Sequence, residues 1–210
     1  LFALTMFASM AEAAETAAEV FTVVGVVNVA TADGRIQPLV KGDSLAVGDT
    51  VVTGPNGQAR LKFTDESWVV LRPDTRFMIE DYHLGQAAGE DRSVFNLLKG
   101  GFRALTGLIG KRSRGNVEMK TAVATIGIRG TDVSVRDCDD DCQDVQPPPP
   151  DGTYLGVNSG SATMDGGEGP QNFEEGEYGY VPSGGGTAEK IPASQAGAVM
   201  GFPECGCGGG

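Results

Sequence analysis

"ATIGIRGTDVSVR", residues Ala124 to Arg136, is the stretch on which the reading of this chain turns. Apolar and small residues alternate along it as in a β-strand, but Gly127 and Gly130 interrupt the alternation, with Arg129 and Asp132 at the break. A dinucleotide fingerprint would need G-x-G-x-x-G between a strand and a helix, and a P-loop would end in Gly-Lys-Ser/Thr. Neither is present: "GIRG" is G-x-x-G, and no helical periodicity follows it. The physical reading is a structural corner. Gly127 and Gly130 let the backbone bend or approach a neighbouring strand. Ile126 and Ile128 then share one face, and Val133 and Val135 re-enter the core beyond the bend. A buried Arg129 is expected to pair with Asp132 and satisfy polar groups that the corner would otherwise bury. Ile126, Gly127, Ile128, Arg129, Gly130, Thr131 and Asp132 form one structural unit on this reading.

Working outward, the same alternation recurs. "VFTVVGVVNVA" (Val20–Ala30) is a β-branched run and predicts a strand. Turn signals start at Gly54, Thr64 and Arg72, at "GPNG", "TDES" and "RPDT". Between them Ala59, Leu61 and Phe63 share one face, while Arg60, Lys62 and Thr64 share the other, the pattern of a half-buried strand with one wet side. "RFMIEDY", "SVFNLL" and "NVEMKTAVATIGI" repeat it, and strand signals return at "TYLGVNSGSATM" and "GEYGYVPS". Short strands at such intervals build a sandwich, a barrel or a coil of β-rungs. The one possible helical turn after the N-terminal run is "GFRALTGLIG" (Gly101–Gly110), and its glycines count against it.

The chain of 210 residues carries a net charge of −12, and the excess is confined to its last third. Residues 1–136 hold 15 acids and 15 bases; residues 137–210 hold 13 acids and one base, Lys190. That balance disfavours nucleic acid, whose phosphates need clustered Lys and Arg. The single basic cluster, "KRSR" (Lys111–Arg114), reads as an exposed turn. "DCDDDCQDVQPPPPD" (Asp137–Asp151) cannot lie inside a sheet, because four successive prolines would break its ladder. It is expected as an exposed excursion with a polyproline-like arm, whose Asp137, Asp139, Asp140, Asp141 and Asp144 form a recognition loop. The run lacks the residue order of an EF-hand, so a solvated loop is favoured over a Ca²⁺ site.

Cys138, Cys142, Cys205 and Cys207 make an even count, which in an exported chain points to disulfides; Cys138–Cys142 would close the acidic loop. Export is expected from the N-terminus. "LFALTMFASM" (Leu1–Met10) has the length of a signal-peptide apolar region, and "AEA" (Ala11–Ala13) resembles a cleavage site. Residues 1–14 therefore read as the remnant of a secretory signal, with an amphipathic N-terminal helix as the alternative. The run falls short of the about 20 apolar residues that span a bilayer, and no later stretch comes close. Past Pro182 the chain is rich in Gly, Ala and Ser, and residues 183–210 are expected to be a flexible tail.

Catalysis finds little support. The one histidine, His83, has no flanking motif that would make it a triad base. "NSGS" and "VPSGGG" lack the nucleophile elbow, and Glu80 and Asp81 would point to opposite faces of a strand. No cofactor or metal is expected.

Three blocks, "VGDTVVTGPNGQARLKFTDESWVVLRPDTRFMIEDY", "LLKGGFRALTGLIGK" and "KTAVATIGIRGTDVSVR", together resemble the FecR domain of exported bacterial signalling proteins. The resemblance covers about residues 40–136 and is expected to continue past the cysteine loop, giving one domain over residues 20–182. It implies an all-β domain, a compact β-solenoid or sandwich, with no catalysis of its own. In the founding regulators such a protein passes a signal from an outer-membrane receptor to a sigma factor, using a cytoplasmic anti-sigma segment and a membrane helix. Neither is read in these residues, so anti-sigma activity is not carried over. The expectation is a periplasmic or secreted module that binds an envelope protein partner in signalling or sensing. The competing class is a structural or adhesive protein of the envelope or extracellular matrix.

Overall fold

A computed structural model describes residues 15–113 and 115–201. Its strands run in order β1 (Thr16–Val24), β2 (Val27–Ala30), β3 (Ile36–Pro38), β4 (Ser44–Ala46), β5 (Thr50–Thr53) and β6 (Gln58–Phe63). Then come β7 (Trp68–Leu71), β8 (Arg76–His83), β9 (Arg92–Leu105), β10 (Val117–Lys120), β11 (Thr125–Ile128) and β12 (Asp132–Cys138). The last are β13 (Gly152–Ser159), β14 (Ser161–Asp165), β15 (Gln171–Glu174), β16 (Tyr178–Pro182) and β17 (Glu189–Ile191). Two short helices, α1 (Leu108–Arg112) and α2 (Ala193–Met200), complete the described elements. The fold is all-β and sandwich-like.

The strands divide into two layers. One runs β4-β1-β6-β7-β9-β12-β13-β16-β17. The other runs β3-β2-β5-β8-β9-β10-β11-β14-β15. β9 belongs to both, so the layers are one continuous sheet. Its first half, to Lys99, pairs with β8 and β10; its second half, from Gly100, pairs with β12 and β7. The β9–β10 pair is parallel and the other ladders are antiparallel.

Alternation explains what fills the space between the layers. Ala59, Leu61 and Phe63 of β6 point inward and are buried, as are Val69 and Leu71 of β7. Across the layers the rings of Tyr82, Phe63, Phe95, Phe77 and Phe102 form a chain, with successive centroids 5.3, 4.9, 5.1 and 5.3 Å apart. Tilted and edge-on contacts of this kind add to the area buried. β13 departs from alternation: every residue from Gly152 to Val157 is buried. Its inner face meets the core and its outer face is covered, as described below.

The corner that opened the sequence reading lies where the chain changes layer. β11 ends at Ile128 in one layer and β12 begins at Asp132 in the other. Ile126, Ile128, Val133 and Val135 are all fully buried. Thr131 is tied to Thr106: its N–H donates to Thr106 Oγ1 at 2.7 Å, and that hydroxyl donates to Thr131 O at 3.0 Å. Arg129 differs from the expectation. It is exposed, and Asp132 instead accepts two hydrogen bonds from Arg103, at 2.9 and 2.6 Å. The cause is register: Asp132 stands opposite Leu105 on β9, which brings Arg103 alongside it, while Arg129 has not yet left the turn.

Two further expectations are corrected. "GFRALTGLIG" is strand as far as Leu105, and only Leu108–Arg112 is helical. The segment from residue 183 is not a featureless tail as far as it is described, since β17 pairs with β16 and α2 buries Ala196, Val199 and Met200. The signal remnant (residues 1–14), Cys205 and Cys207 lie outside the described residues.

Gly130 has φ +71°, a left-handed conformation that a β-branched residue adopts only under strain. Gly130→Val should destabilise the domain by more than about 1 kcal/mol. Chemical denaturation measures this, and an unchanged midpoint would show the corner to be indifferent to that backbone conformation.

Candidate interaction surface

The outward side chains of the layer that contains β6, β7, β9, β12 and β13 line up in rows set by register. Lys62, Trp68, Leu105 and Asp132 form one row. Arg60, Val70, Arg103 and Ser134 form the next. In a third, Gly101 lies between Arg72, whose N–H donates to Gly101 O, and Arg136, and the row continues through Tyr154 to Tyr180. One half of this face is capped and the other is open.

The cap consists of the acidic loop and α2. Cys138, Cys142 and Val145 are buried with Ala196, Val199, Met200 and Tyr154 in a second apolar cluster, on which Tyr178, Tyr180 and Ile191 pack. Cys138 and Cys142 form a disulfide. The loop is therefore a clasp on the sheet rather than the freely solvated excursion expected from its composition. Asp144 carries the clasp electrostatically. It accepts a hydrogen bond from Arg136 Nη2 and stands 3.6 Å from Arg72 Nη2. The two arginine side chains are only 8% and 7% exposed. Arg136 Nη1 also donates to Val199 O at 3.1 Å, and Arg72 Nη1 to Gly201 O, so both guanidiniums grip the end of α2.

The charges respond to this crowding. Burial, with the like charge of Arg136, pulls Arg72 down to about 10, partly countered by Asp144. Burial pushes the Asp144 carboxyl up, but the hydrogen bond and charge of Arg136, with Arg72, outweigh it and hold the group below its ordinary value. Asp137 is raised, by burial first and then by Asp141 and Asp139, against a 2.6 Å hydrogen bond from Thr153. Of the other loop carboxylates, Asp141 accepts from Asp139 N–H and lies 3.4 Å from Lys99. Asp139 and Asp140 are exposed. Sequence could not rank these five acids, because Arg72, from the turn after β7, and Arg136, within β12, meet Asp144 only in the folded chain. A cleft of about 670 Å³ remains between the clasp and the sheet, lined by Pro55, Arg72, Gly100, Arg136, Asp141 and Gln143 among others. Its lining holds no His, Ser or Thr, and its one cysteine, Cys142, is in the disulfide. Among the described residues no group of three His, Cys, Asp or Glu is placed to hold a metal ion.

The open half carries a different chemistry. Phe21 sits where the β1–β6 register shifts between Val20 and Thr22, and the bulge turns it outward, 44% exposed. Its ring meets Trp68 edge-on at 5.0 Å. Arg60 lies beside the pair, its guanidinium 4.1 Å from the centre of Trp68 and 5.4 Å from that of Phe21. Lys41 approaches Phe21 at 5.7 Å and Lys62 approaches Trp68 at 5.8 Å. Leu105, opposite Trp68, is 50% exposed. Arg60 and Lys62 belong to the wet side read from the sequence. Trp68 was missed there, although its alternation with buried Val69 and Leu71 already aims it outward.

The model of the family described as FecR protein matches residues 49–163. The chain belongs to the FecR protein family. Two solved structures of a "putative anti-sigma factor" from Parabacteroides distasonis share the fold, each with TM-score 0.51, at 13% and 14% identity. Each alignment covers 68% of this chain and 58% of the other, so the chain spans little more than half the length of those two neighbours. A cell surface anchoring domain is 28% identical over 35% of this chain and 99% of its own, but its TM-score of 0.33 is too low to speak for the fold. No curated protein matches. No described helix is long and apolar enough to cross a membrane.

The clasp gives a prediction with a definite sign. Because the Asp144 carboxyl is depressed in the fold, its stabilisation is complete above the ordinary carboxylate value of about 4 and is lost as pH falls through the lower folded value. Asp144→Asn should cost about 1–2 kcal/mol at neutral pH, a figure discounted because Asp144 itself is 57% exposed, and should flatten the acid limb of the stability curve. Deleting Cys138–Pro150 behind a short Gly/Ser linker should lower the melting temperature; an unchanged value would show that the clasp bears no part of the stability.

Proposed function

We propose that this FecR-family chain is a non-catalytic, exported binding module of the bacterial envelope, working in signalling or sensing, and that its protein partner docks on the open half of the outer sheet face. The observation that carries the reading is Arg60 stacked against the Phe21–Trp68 pair beside exposed Leu105. Trp, aromatic and Arg side chains supply the dominant contacts of protein interfaces, whereas isolated exposed apolar residues need no explanation. Here they are contiguous, on a rigid sheet, and already desolvate one another. Family membership supports the envelope-signalling context. The anti-sigma activity of the founding regulators is not assigned to these residues. A non-catalytic role is supported by the cleft, whose lining holds no His, Ser or Thr and whose Arg72, Arg136 and Asp144 hold the clasp.

A photo-reactive residue placed at Val70, between Arg60 and Arg103 in register, should give a discrete adduct with one envelope protein in exporting cells. The same residue at Glu118 of β10, in the other layer, should not, and Arg60→Gln should remove the Val70 adduct. Equal adducts from both positions, or none from Val70, would reject the open face as the docking site.

A further inference from the structure

The open face has a charge imbalance of its own. Most described bases are held in ion pairs, including Lys62 with Glu66 at 2.7 Å and Arg103 with Asp132 at 2.6 Å. Among the described residues, Lys41, Arg60, Arg76, Lys111 and Arg129 make none. Two of these five stand over one ring, Phe21. Arg60 donates no hydrogen bond to any described residue, and its Nε is buried without a partner. The two aromatic faces orient the guanidinium and attract its charge, but they leave its donors unused. In a chain with net charge −12, two neighbouring cations without carboxylates are not explained by folding.

We propose that the open face binds an extended acidic segment of the partner protein. Its Asp or Glu carboxylates meet Arg60 and Lys41, and apolar residues that follow cover Val70 and Leu105. The proposal rests on the function reading above and names the chemistry of the partner. The arrangement is directional. Cations lie over β1 and β6, with Lys62 beside them, while Val70 and Leu105 lie on β7 and β9. An acidic stretch therefore fits one side and an apolar stretch the other, across strands about 4.8 Å apart. A carboxylate arriving at a guanidinium already fixed by stacking gains a charge-assisted hydrogen bond with little further loss of side-chain freedom. Exposed Lys41 would steer its approach.

Trp68 is the single tryptophan in the chain, so its fluorescence reports on this face alone. The full chain is titrated with a synthetic peptide whose first half is Asp and Glu and whose second half is Leu, Val and Phe. The counterpart peptide carries Asn and Gln in place of the acids. The acidic peptide should change Trp68 emission saturably, and binding should weaken as salt is raised. The amide peptide should bind at least about tenfold more weakly. Arg60→Gln and, separately, Lys41→Gln should each weaken the acidic peptide, while Lys111→Gln, an unpaired base on α1, should not. Circular dichroism checks that each variant folds. No response, equal binding of the amide peptide, or an equal loss in Lys111→Gln would overturn the proposal. So would an equal response to a single-stranded oligonucleotide, which would make the face a general polyanion site. Salt-sensitive self-association that the peptide cannot compete would assign the face to a second copy of this chain and overturn it too. A Val70 adduct with a silent acidic peptide would reject the acidic occupant and leave the binding face standing.

Discussion

Strand β9 must pass from one layer to the other without stopping, and Gly100 and Gly101 are where it does so. Gly100 has φ +82°, and a Cβ there would lie 2.6 Å from Thr75 Oγ1 and 2.7 Å from Asp74 O. A Cβ on Gly101 would lie 2.8 Å from Val135 O and 2.9 Å from Arg72 Cδ. Buried Thr75 secures the crossing, since its hydroxyl accepts from Gly101 N–H at 3.1 Å and donates to Gly101 O at 3.0 Å. β9 pairs with four strands in all, two on each side of this point. The aromatic chain through the core depends on it, because Phe95 and Phe102 lie on opposite sides of the glycines in the same strand. The clasp depends on it too. Arg72 and Arg136 flank Gly101 on the outer face, where the missing side chain leaves them room to converge on Asp144.

That convergence divides one sheet face into two environments. On the β12, β13 and β16 side, arginines, a disulfide and α2 bury a tyrosine-rich surface. On the β1, β6 and β7 side, another arginine is stacked on aromatic rings and meets no carboxylate. Arg72 and Arg136 are therefore structural cations, their charge shared with an acid and with helix-end carbonyls. Arg60 is left without a carboxylate among the described residues. The same residue type on the same face does different work because only one half of the face has a partner supplied by the chain itself.

The all-β fold was legible because inward Ala59, Leu61 and Phe63 alternate with wet Arg60 and Lys62, a pattern that needs no tertiary knowledge. The β9 crossing was not. In sequence the strand signal stops at Leu98 and "GFRALTGLIG" offers a helical turn, and only contacts with Thr75 and Asp74, more than twenty residues away, turn Gly100 and Gly101 into continuous strand. α2 was hidden for a related reason. "ASQAGAVM" has weak propensity and a central Gly197, and Ala196, Val199 and Met200 become an apolar face only against Tyr154. The partner of Asp132 illustrates the same limit. Sequence proximity favoured Arg129, and the β9–β12 register delivered Arg103 from 29 positions away. For the open face, alternation with buried Val69 and Leu71 was a signal for Trp68 that went unused, and Phe21 required a bulge that composition does not mark.

The basic docking face proposed above is not at odds with so acidic a chain. At physiological ionic strength the Debye length is about 8 Å, so the charges an approaching segment feels are those within its own footprint. The excess acid belongs to residues 137–210, and part of it is internally matched: Asp141 with Lys99, Asp144 with Arg72 and Arg136, Glu177 with Lys190. Phe21, Arg60 and Lys62 lie on β1 and β6, whose side chains come from the neutral part of the sequence. On the proposed mode a short acidic segment that reaches the face meets Lys41 and Arg60 first, and the sheet beneath them holds that pattern without further rearrangement.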